Sequence, residues 1–517
     1  MSGKKGGKMK LMVKECLIKN LNADVLVIPV FKDMENKEKM FVEVNNILNK
    51  LLSQTIYENP DIGEEGKFHM FYTNSRLKLK RVLLAGLGES DELDLEKIRN
   101  LGGKLAAHIK NNSMKDVAFL SFGYDLKNVT IEAASKALVV GFKLGDYKYE
   151  EFKTENMGTK EADKGKKKYK GINSLLFVPQ VKSDLKLIEN VIKDAEIVSN
   201  NVCIVRDLVN KPANMLSPSL YVKEIKKIFT KSKVKVKILE EAAIKKEKMG
   251  CIINVAKGSV EKPKLVVLTY SPPKAKKTIV FVGKGVTFDA GGTNLKPSQY
   301  ISNMKQDMGG SAAVVGAVKS AAEMKFPIKV IGIMPLVENL ISGTAMKTGD
   351  VITAANGKTI EVENTDAEGR LILADALHYA TKFKPYCIVD IATLTGAASV
   401  ALGSRCTSLM GNDQDLIKNL IEAGEKMHEK AWQLPLFKEY DEDIKSDIAD
   451  LKNMGNPGGE AGTIIGGMFL QNFIGENKWV HLDIGATAFT AKPNAYKSKG
   501  ATGVPVRMLV KWMRGLF

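Results

Sequence analysis

Short, nearly uninterrupted apolar runs alternate along this chain with stretches whose apolar residues recur every three or four positions. Val25–Phe31, Arg81–Gly88 and Val117–Gly123 read as buried strands, with helical spacing over Leu95–Lys110 between the last two. A further strand at Leu175–Val178 precedes a long helical stretch, Leu187–Val209, which Pro212 and Pro218 close off. Beyond it, strands are predicted at Leu265–Tyr270, Ile279–Val282, Ile328–Met334, Cys387–Leu394 and Trp479–Ile484. Helices are predicted at Ser311–Met324, Leu371–Lys382 and Gly462–Phe473. The alternation indicates two α/β domains, the C-terminal one a mostly parallel central sheet flanked by helices, with a site at the carboxyl ends of its strands. The expected division is 1–180 for an N-terminal α/β domain, 181–204 for a linker helix and 205–517 for the domain carrying the chemistry. Lys153–Gly171, dense in lysine, reads as an exposed loop, and the Gly/Lys-rich start as a disordered tail.

Composition narrows the class without naming a chemistry. At 44% hydrophobic and 26% charged residues, the 517-residue chain is of ordinary globular type. Its net charge of +18 is mostly lysine spread along the whole length. No basic patch interleaved with aromatics and no recognition-helix pattern accompanies it, so a solvated coat is the reading and nucleic acid is not expected as the main partner. Five scattered cysteines with no CxxC point to a reducing compartment. No apolar stretch approaches the roughly 20 residues of a membrane span, and the start lacks a signal-peptide pattern. A cytoplasmic protein without a membrane partner is expected.

Two stretches gather ionisable residues just after predicted strands. Asn364-Thr365-Asp366-Ala367-Glu368-Gly369-Arg370-Leu371 places Asp366, Glu368 and Arg370 at alternate positions, on one face if the segment is extended. A buried helix is predicted to follow, so its N-terminus would favour an anion here. Upstream, Gly283-Lys284-Gly285-Val286-Thr287-Phe288-Asp289-Ala290-Gly291-Gly292 is followed by Lys296 and by Met304-Lys305-Gln306-Asp307. As a phosphate cradle this lacks GxxxxGK[ST]. Asp289, Asp307, Asp366 and Glu368 together carry a formal −4. Brought together without counterions they would repel, and two divalent cations would neutralise them. Oxygen ligands suit Zn²⁺, Mn²⁺ or Mg²⁺, and the five dispersed histidines form no HExxH. Spacing alone leaves open that these acids are separate caps and loop residues.

The two stretches, with Asp390-Ile391-Ala392-Thr393-Leu394-Thr395-Gly396-Ala397, His481-Leu482-Asp483-Ile484 and Thr502-Gly503-Val504-Pro505, resemble the leucyl (cytosol) aminopeptidase family, the M17 metallopeptidases. The resemblance begins near Arg206-Asp207-Leu208-Val209-Asn210-Lys211-Pro212 and covers roughly the last three-fifths of the chain. It implies a dinuclear metal site: Lys284, Asp289, Asp307 and Glu368 on a tighter ion, and Asp289, Asp366 and Glu368 on a more exchangeable one. Zn or Mn is implied, with Mg or Co as further options at the exchangeable position. It also implies Lys296 and Arg370 as the catalytic pair, Arg370 holding a bicarbonate as general base. A two-metal-activated water would cleave the N-terminal peptide bond of peptides. Met304, Thr393, Gly396 and Ala486 match or lie near positions that shape the pocket for the first side chain, whose apolar character suits Leu. A homohexamer is the implied assembly. Ala290, the Thr293-Asn294-Leu295 triplet, Gly459-Glu460-Ala461-Gly462 and the Gly485-Ala486 order depart from the family pattern, and none removes a ligand. Alternatives are a Cys-Gly-type dipeptidase, an additional sequence-specific DNA-binding role, and a structural paralogue with a dead site.

Overall fold

The computed structural model describes residues 9–33, 39–123, 126–153, 171–455 and 459–517. The Gly/Lys-rich start and most of the Lys153–Gly171 stretch lie outside the described residues. Two compact units are present: Met1–Asn200 with Lys492–Ser498, and Asn201–Ala491 with Lys499–Phe517. The helix Asp184–Asn210 carries the chain from the first to the second.

In the first unit the apolar runs become strands β1 (Lys10–Val13), β2 (Val25–Val30), β3 (Phe68–Tyr72), β4 (Arg81–Gly86), β5 (Asp116–Leu120) and β6 (Ser174–Val178). Their order is β1-β6-β5-β2-β4-β3, parallel throughout except that β3 runs antiparallel to β4. Central β2, β4 and β5 are buried almost end to end, which is why they show as continuous Val/Leu/Ile runs. Edge strand β3 exposes His69 and Tyr72 and has no such signature. Asp94 and Thr130 cap the helices Leu95–Asn111 and Ile131–Asp146 by accepting N–H bonds from Glu96, Lys97 and Ala133.

The second unit continues with β7 (Val234–Leu239), β8 (Lys264–Tyr270), β9 (Thr278–Gly283), β10 (Gly285–Asp289), β11 (Lys329–Asn339), β12 (Val351–Thr353), β13 (Thr359–Glu361), β14 (Cys387–Ala392), β15 (Thr407–Gly411), β16 (Ala431–Gln433), β17 (Leu451–Lys452) and β18 (Trp479–Asp483). The main sheet has the order β16-β15-β18-β14-β9-β11-β8-β7, with β10 added alongside the far end of β11. Its centre, β18-β14-β9-β11, is parallel, whereas β15, β8 and β7 join antiparallel. A mixed α/β fold built on a largely parallel sheet is thus observed. Because the central strands run one way, their carboxyl ends (Asp483, Ala392, Gly283 and Asn339) lie along one edge of the sheet. The helices Gly309–Glu323 and Glu368–Thr381, buried over most of their length, pack on the sheet, the first beginning two residues after Asp307 and the second at Glu368.

One buried polar pair ties β14 to β18. Asp390 and His481 are partners in the strand register and both are fully buried. Asp390 Oδ1 lies 2.6 Å from His481 Nδ1, and its Oδ2 accepts the Trp479 Nε1–H at 2.6 Å. Burial alone would depress the imidazole, but the Asp390 carboxylate outweighs it and raises its pKa above the ordinary value. The sign follows directly. Stabilisation from this pair is complete below the unfolded imidazole pKa of about 6.5 and is lost as pH rises through the higher folded value. Asp390→Asn should lower the unfolding free energy by about 3 kcal/mol near pH 6, the scale of a broken buried ion pair. Urea denaturation of both proteins at a series of pH values checks this; a gap below about 1 kcal/mol at pH 6, or one that widens in alkali, would contradict the assignment.

Candidate active site

The two acidic stretches meet at the carboxyl edge of the second-unit sheet. Lys284 follows the last residue of β9, and Asp289 is the last of β10. Asp307 follows the single turn Met304–Gln306, two residues before the helix that begins at Gly309. Glu368 is the first residue of its helix, and Asp366 lies in the turn just ahead. Carboxylate oxygens of Asp289, Asp366 and Glu368 lie within 4.8 Å of one another. Lys284 Nζ lies 2.7 Å from Asp307 Oδ2 and 2.9 Å from Glu368 Oε1, and donates to the Thr393 carbonyl at 3.0 Å. Lys296 Nζ lies 2.7 Å from Asp289 Oδ2 and is also paired with Asp366. Six of the expected site residues therefore form one cluster.

Asp366 and Glu368 converge differently from the alternation expected of an extended segment, and Arg370 does not join them. Asn364 Oδ1 accepts the Asp366 N–H at 2.8 Å and its carbonyl accepts from Ala367, folding Asn364–Ala367 into a turn. The helix then starts at Glu368, three residues earlier than the apolar run implied. Turn and first helical turn, not a strand face, bring Asp366 beside Glu368. Gly369 leaves room in the resulting crowding, since a Cβ there would stand 2.5 Å from Lys284 Cε and would displace that side chain. Gly291, at φ +91°, lets the Asp289–Lys296 loop turn back under Asp366; an added Cβ would lie 3.0 Å from the Asp366 Oδ1.

Charge in the cluster is unbalanced. Glu368 is fully buried, while Lys284, Asp289 and Asp307 are only 3%, 2% and 5% exposed. Burial alone would depress both lysines, yet the neighbouring carboxylates prevail and hold Lys284 and Lys296 above the ordinary lysine range. Burial pushes Asp307 and Glu368 up, and it brings Asp366 to about 7 with the help of Asp289 and Glu368, against the pull of Lys296. Four carboxylates beside two ammonium groups cannot all stay ionised. Among the described residues, buried Glu368 Oε2 has no hydrogen-bond partner, and buried Asp307 Oδ2, Asp366 Oδ1 and Glu368 Oε1 each face only a lysine ammonium. Oxygen donors that are buried, negatively charged and short of partners fit divalent cations.

Arg370 stands apart from these ion pairs. It is buried, its Nη1 donates to the Asn453 carbonyl at 2.8 Å, and among the described residues its Nε has no hydrogen-bond partner. Burial pushes its pKa down to about 10, partly offset by Glu368 and Asp483, so the guanidinium remains charged at neutral pH. Of the expected pocket residues, Thr393 is joined to the cluster, its hydroxyl donating to Asp307 Oδ1 at 2.7 Å. Met304 opens the turn that leads into Asp307. Gly396 precedes the helix Ala397–Leu402, with open space where its Cβ would be, and Ala486 is buried in the loop after β18. The loops bearing these two run together: a Cβ on Gly485 would be 2.6 Å from the Thr395 carbonyl oxygen. Sequence reasoning missed Asn339, whose Nδ2 donates to Asp289 Oδ1 at 2.9 Å. Its only trace is a polar residue two places beyond the apolar run that ends at Val337.

Comparison with known proteins matches both units. The family model "Cytosol aminopeptidase family, catalytic domain" matches residues 203–510, and "Cytosol aminopeptidase family, N-terminal domain" matches 27–156. A probable cytosol aminopeptidase of Geobacter sp. (strain M21) is 38% identical, covering 95% of this chain and 96% of that protein. One from Clostridium perfringens (strain 13 / Type A) is 39% identical over 94% and 95%. Among solved structures, a point mutant of tomato leucine aminopeptidase superposes with a TM-score of 0.84 at 33% identity, covering 99% of this chain and 97% of that one. The bottromycin maturation enzyme BotP in complex with Mn gives 0.82 at 28% identity, covering 96% and 100%. With both units matched by family models and with relatives 38–39% identical over 94–95% of its length, the chain belongs to the cytosol aminopeptidase family, metal-dependent peptidases.

Proposed function

We propose that this protein removes N-terminal residues, with a preference for Leu and similar apolar side chains, by means of a water activated between two divalent ions. The observation that carries the reading is the convergence of Asp289, Asp366 and Glu368 within 4.8 Å, with Lys284 and Asp307 against Glu368. Lys284, Asp289, Asp307 and Glu368 would hold the tighter ion, and Asp289, Asp366 and Glu368 the exchangeable one, with Zn or Mn as the leading metals and Mg or Co as options. When bound, such a pair supplies Lewis acidity and a nucleophilic water at neutral pH. Divalent charge beside Lys284 opposes the attraction that now keeps it protonated, which is the condition for its amine to serve as a ligand.

The residues outside that shell have separate tasks. Lys296, 14% exposed in its side chain and held cationic by Asp289, Glu368 and Asp366, donates to the oxyanion that develops on the scissile carbonyl. Arg370 keeps its Nε–H uncommitted in a buried setting, suited to gripping a planar bicarbonate at two points as general base. Thr393 steadies Asp307 and, with Met304, Gly396 and Ala486, shapes the site for an apolar first residue. The first unit is assigned a structural or regulatory part, the assembly a homohexamer, and the setting the cytoplasm. Among the described residues no helix is long and apolar enough to cross a membrane.

Chelated protein should regain hydrolysis of leucine p-nitroanilide when titrated separately with Mn²⁺, Zn²⁺, Co²⁺ or Mg²⁺, and Asp366→Ala should abolish it. Undiminished activity in Asp366→Ala or Glu368→Ala would overturn the reading, and faster turnover of Cys-Gly than of Leu-amide would redirect it to a dipeptidase. Arg370→Ala should lower kcat by roughly 10²- to 10⁴-fold, the range of a lost general base; single-turnover kinetics at saturating substrate measures it. Light scattering should return six chain masses, and a monomeric mass would exclude the hexamer.

A further inference from the structure

The end of β11 carries a side chain with no place in the scheme above. Asn339 is 3% exposed and stands opposite Asp289 in the parallel β10–β11 pair, where an irregularity between Val286 and Phe288 shifts the register. Its amide spends both hydrogens on different parts of the cluster. Nδ2 donates to Asp289 Oδ1 at 2.9 Å and to the Thr365 carbonyl, the peptide directly before Asp366, at 3.0 Å. The Thr365 hydroxyl returns the tie, donating to the Gly291 carbonyl at 2.6 Å. Asn339 thus links the strand end that bears Asp289 to the turn that bears Asp366.

The consequence for Asp289 is a division between its two oxygens. Oδ1 accepts from Asn339 Nδ2 and, at 2.9 Å, from the Gly291 N–H, which fills that oxygen's usual capacity. Oδ2 is left facing Lys296 and the acidic centre. The amide cannot be reversed without cost, because both of its contacts, a carboxylate and a carbonyl, only accept. We infer that Asn339 is a positioning residue: it locks the Asp289 carboxylate so that Oδ2 alone is offered to both ions, and it sets the separation of Asp289 from Asp366. This rests on the reading of the cluster as a divalent-metal site. Hydrogen-bonded partners of ligating carboxylates commonly govern metal affinity in this way.

The test reads metal binding, not turnover. Chelated full-length protein is titrated with Mn²⁺ while free Mn²⁺ is followed by electron paramagnetic resonance, and thermal unfolding of each chelated protein is recorded alongside. Asn339→Ala should weaken Mn²⁺ binding by roughly 10- to 100-fold, the usual scale for a lost ligand partner. Asn339→Ser, which keeps one donor and preserves more of the fold, should give a smaller loss in the same direction. Asn201→Ala is the matched control. That buried amide donates to Ser320 and Glu323, at the opposite end of the Gly309–Glu323 helix from Asp307. It should lower the melting temperature while leaving Mn²⁺ affinity within about two-fold, a change too small to reflect a lost ligand partner. Unchanged affinity in both Asn339 variants, or an equal loss in Asn201→Ala, would overturn the positioning role. A wild-type protein that bound no Mn²⁺ would instead remove the metal-site reading beneath it.

Discussion

Four carboxylates confined at the end of a buried sheet are the constraint around which the second unit is built. Their repulsion is reduced, though not cancelled, by the groups packed around them. Lys284 and Lys296 each reach two of the acids. Thr393 and Asn339 each hold one oxygen of an aspartate and leave the other turned inward. Glu368 sits at a helix N-terminus, where the backbone dipole favours negative charge. Gly369 fits this crowding, since a Cβ there would press on the Lys284 side chain.

Holding charge so far from water demands a rigid frame, and the parallel centre of the sheet supplies it. Strands β18, β14, β9 and β11 deliver their carboxyl ends to one edge, so residues far apart in sequence meet without long loops. Within that frame the Asp390–His481 pair, braced by Trp479, is itself buried and polar, and its strand β14 pairs with β9, the strand that leads into Lys284. The His481 environment also includes Asp483 and Arg370, so the electrostatics of sheet and site are continuous.

How much of this was legible beforehand depended on exposure. Central strands such as Val25–Val30, Thr278–Gly283 and Cys387–Ala392 are buried on both faces and show as apolar runs wherever they occur. Edge elements escaped. β7 alternates Val and Lys because one face meets solvent, and the helix Gln414–Met427 is so rich in charge that its apolar stripe is narrow. The Asn364–Leu371 stretch was legible as chemistry but not as geometry. Its residue types announced a site, while an asparagine turn, invisible to alternation, decided how the acids approach.

What the sequence determined by itself was the inventory: alternating α/β elements, four acids, two lysines and an arginine in two clusters, and a family resemblance that the comparisons bear out. Local patterning encodes these because burial and residue chemistry act position by position. Tertiary structure alone decided that the clusters meet, that Arg370 stands outside the ion pairs, and that Asn339 joins the segments bearing Asp289 and Asp366. Those are relations between segments 26 to 83 residues apart in the chain, fixed by strand pairing and by hydrogen bonds across the sheet edge, and no local spacing carries them.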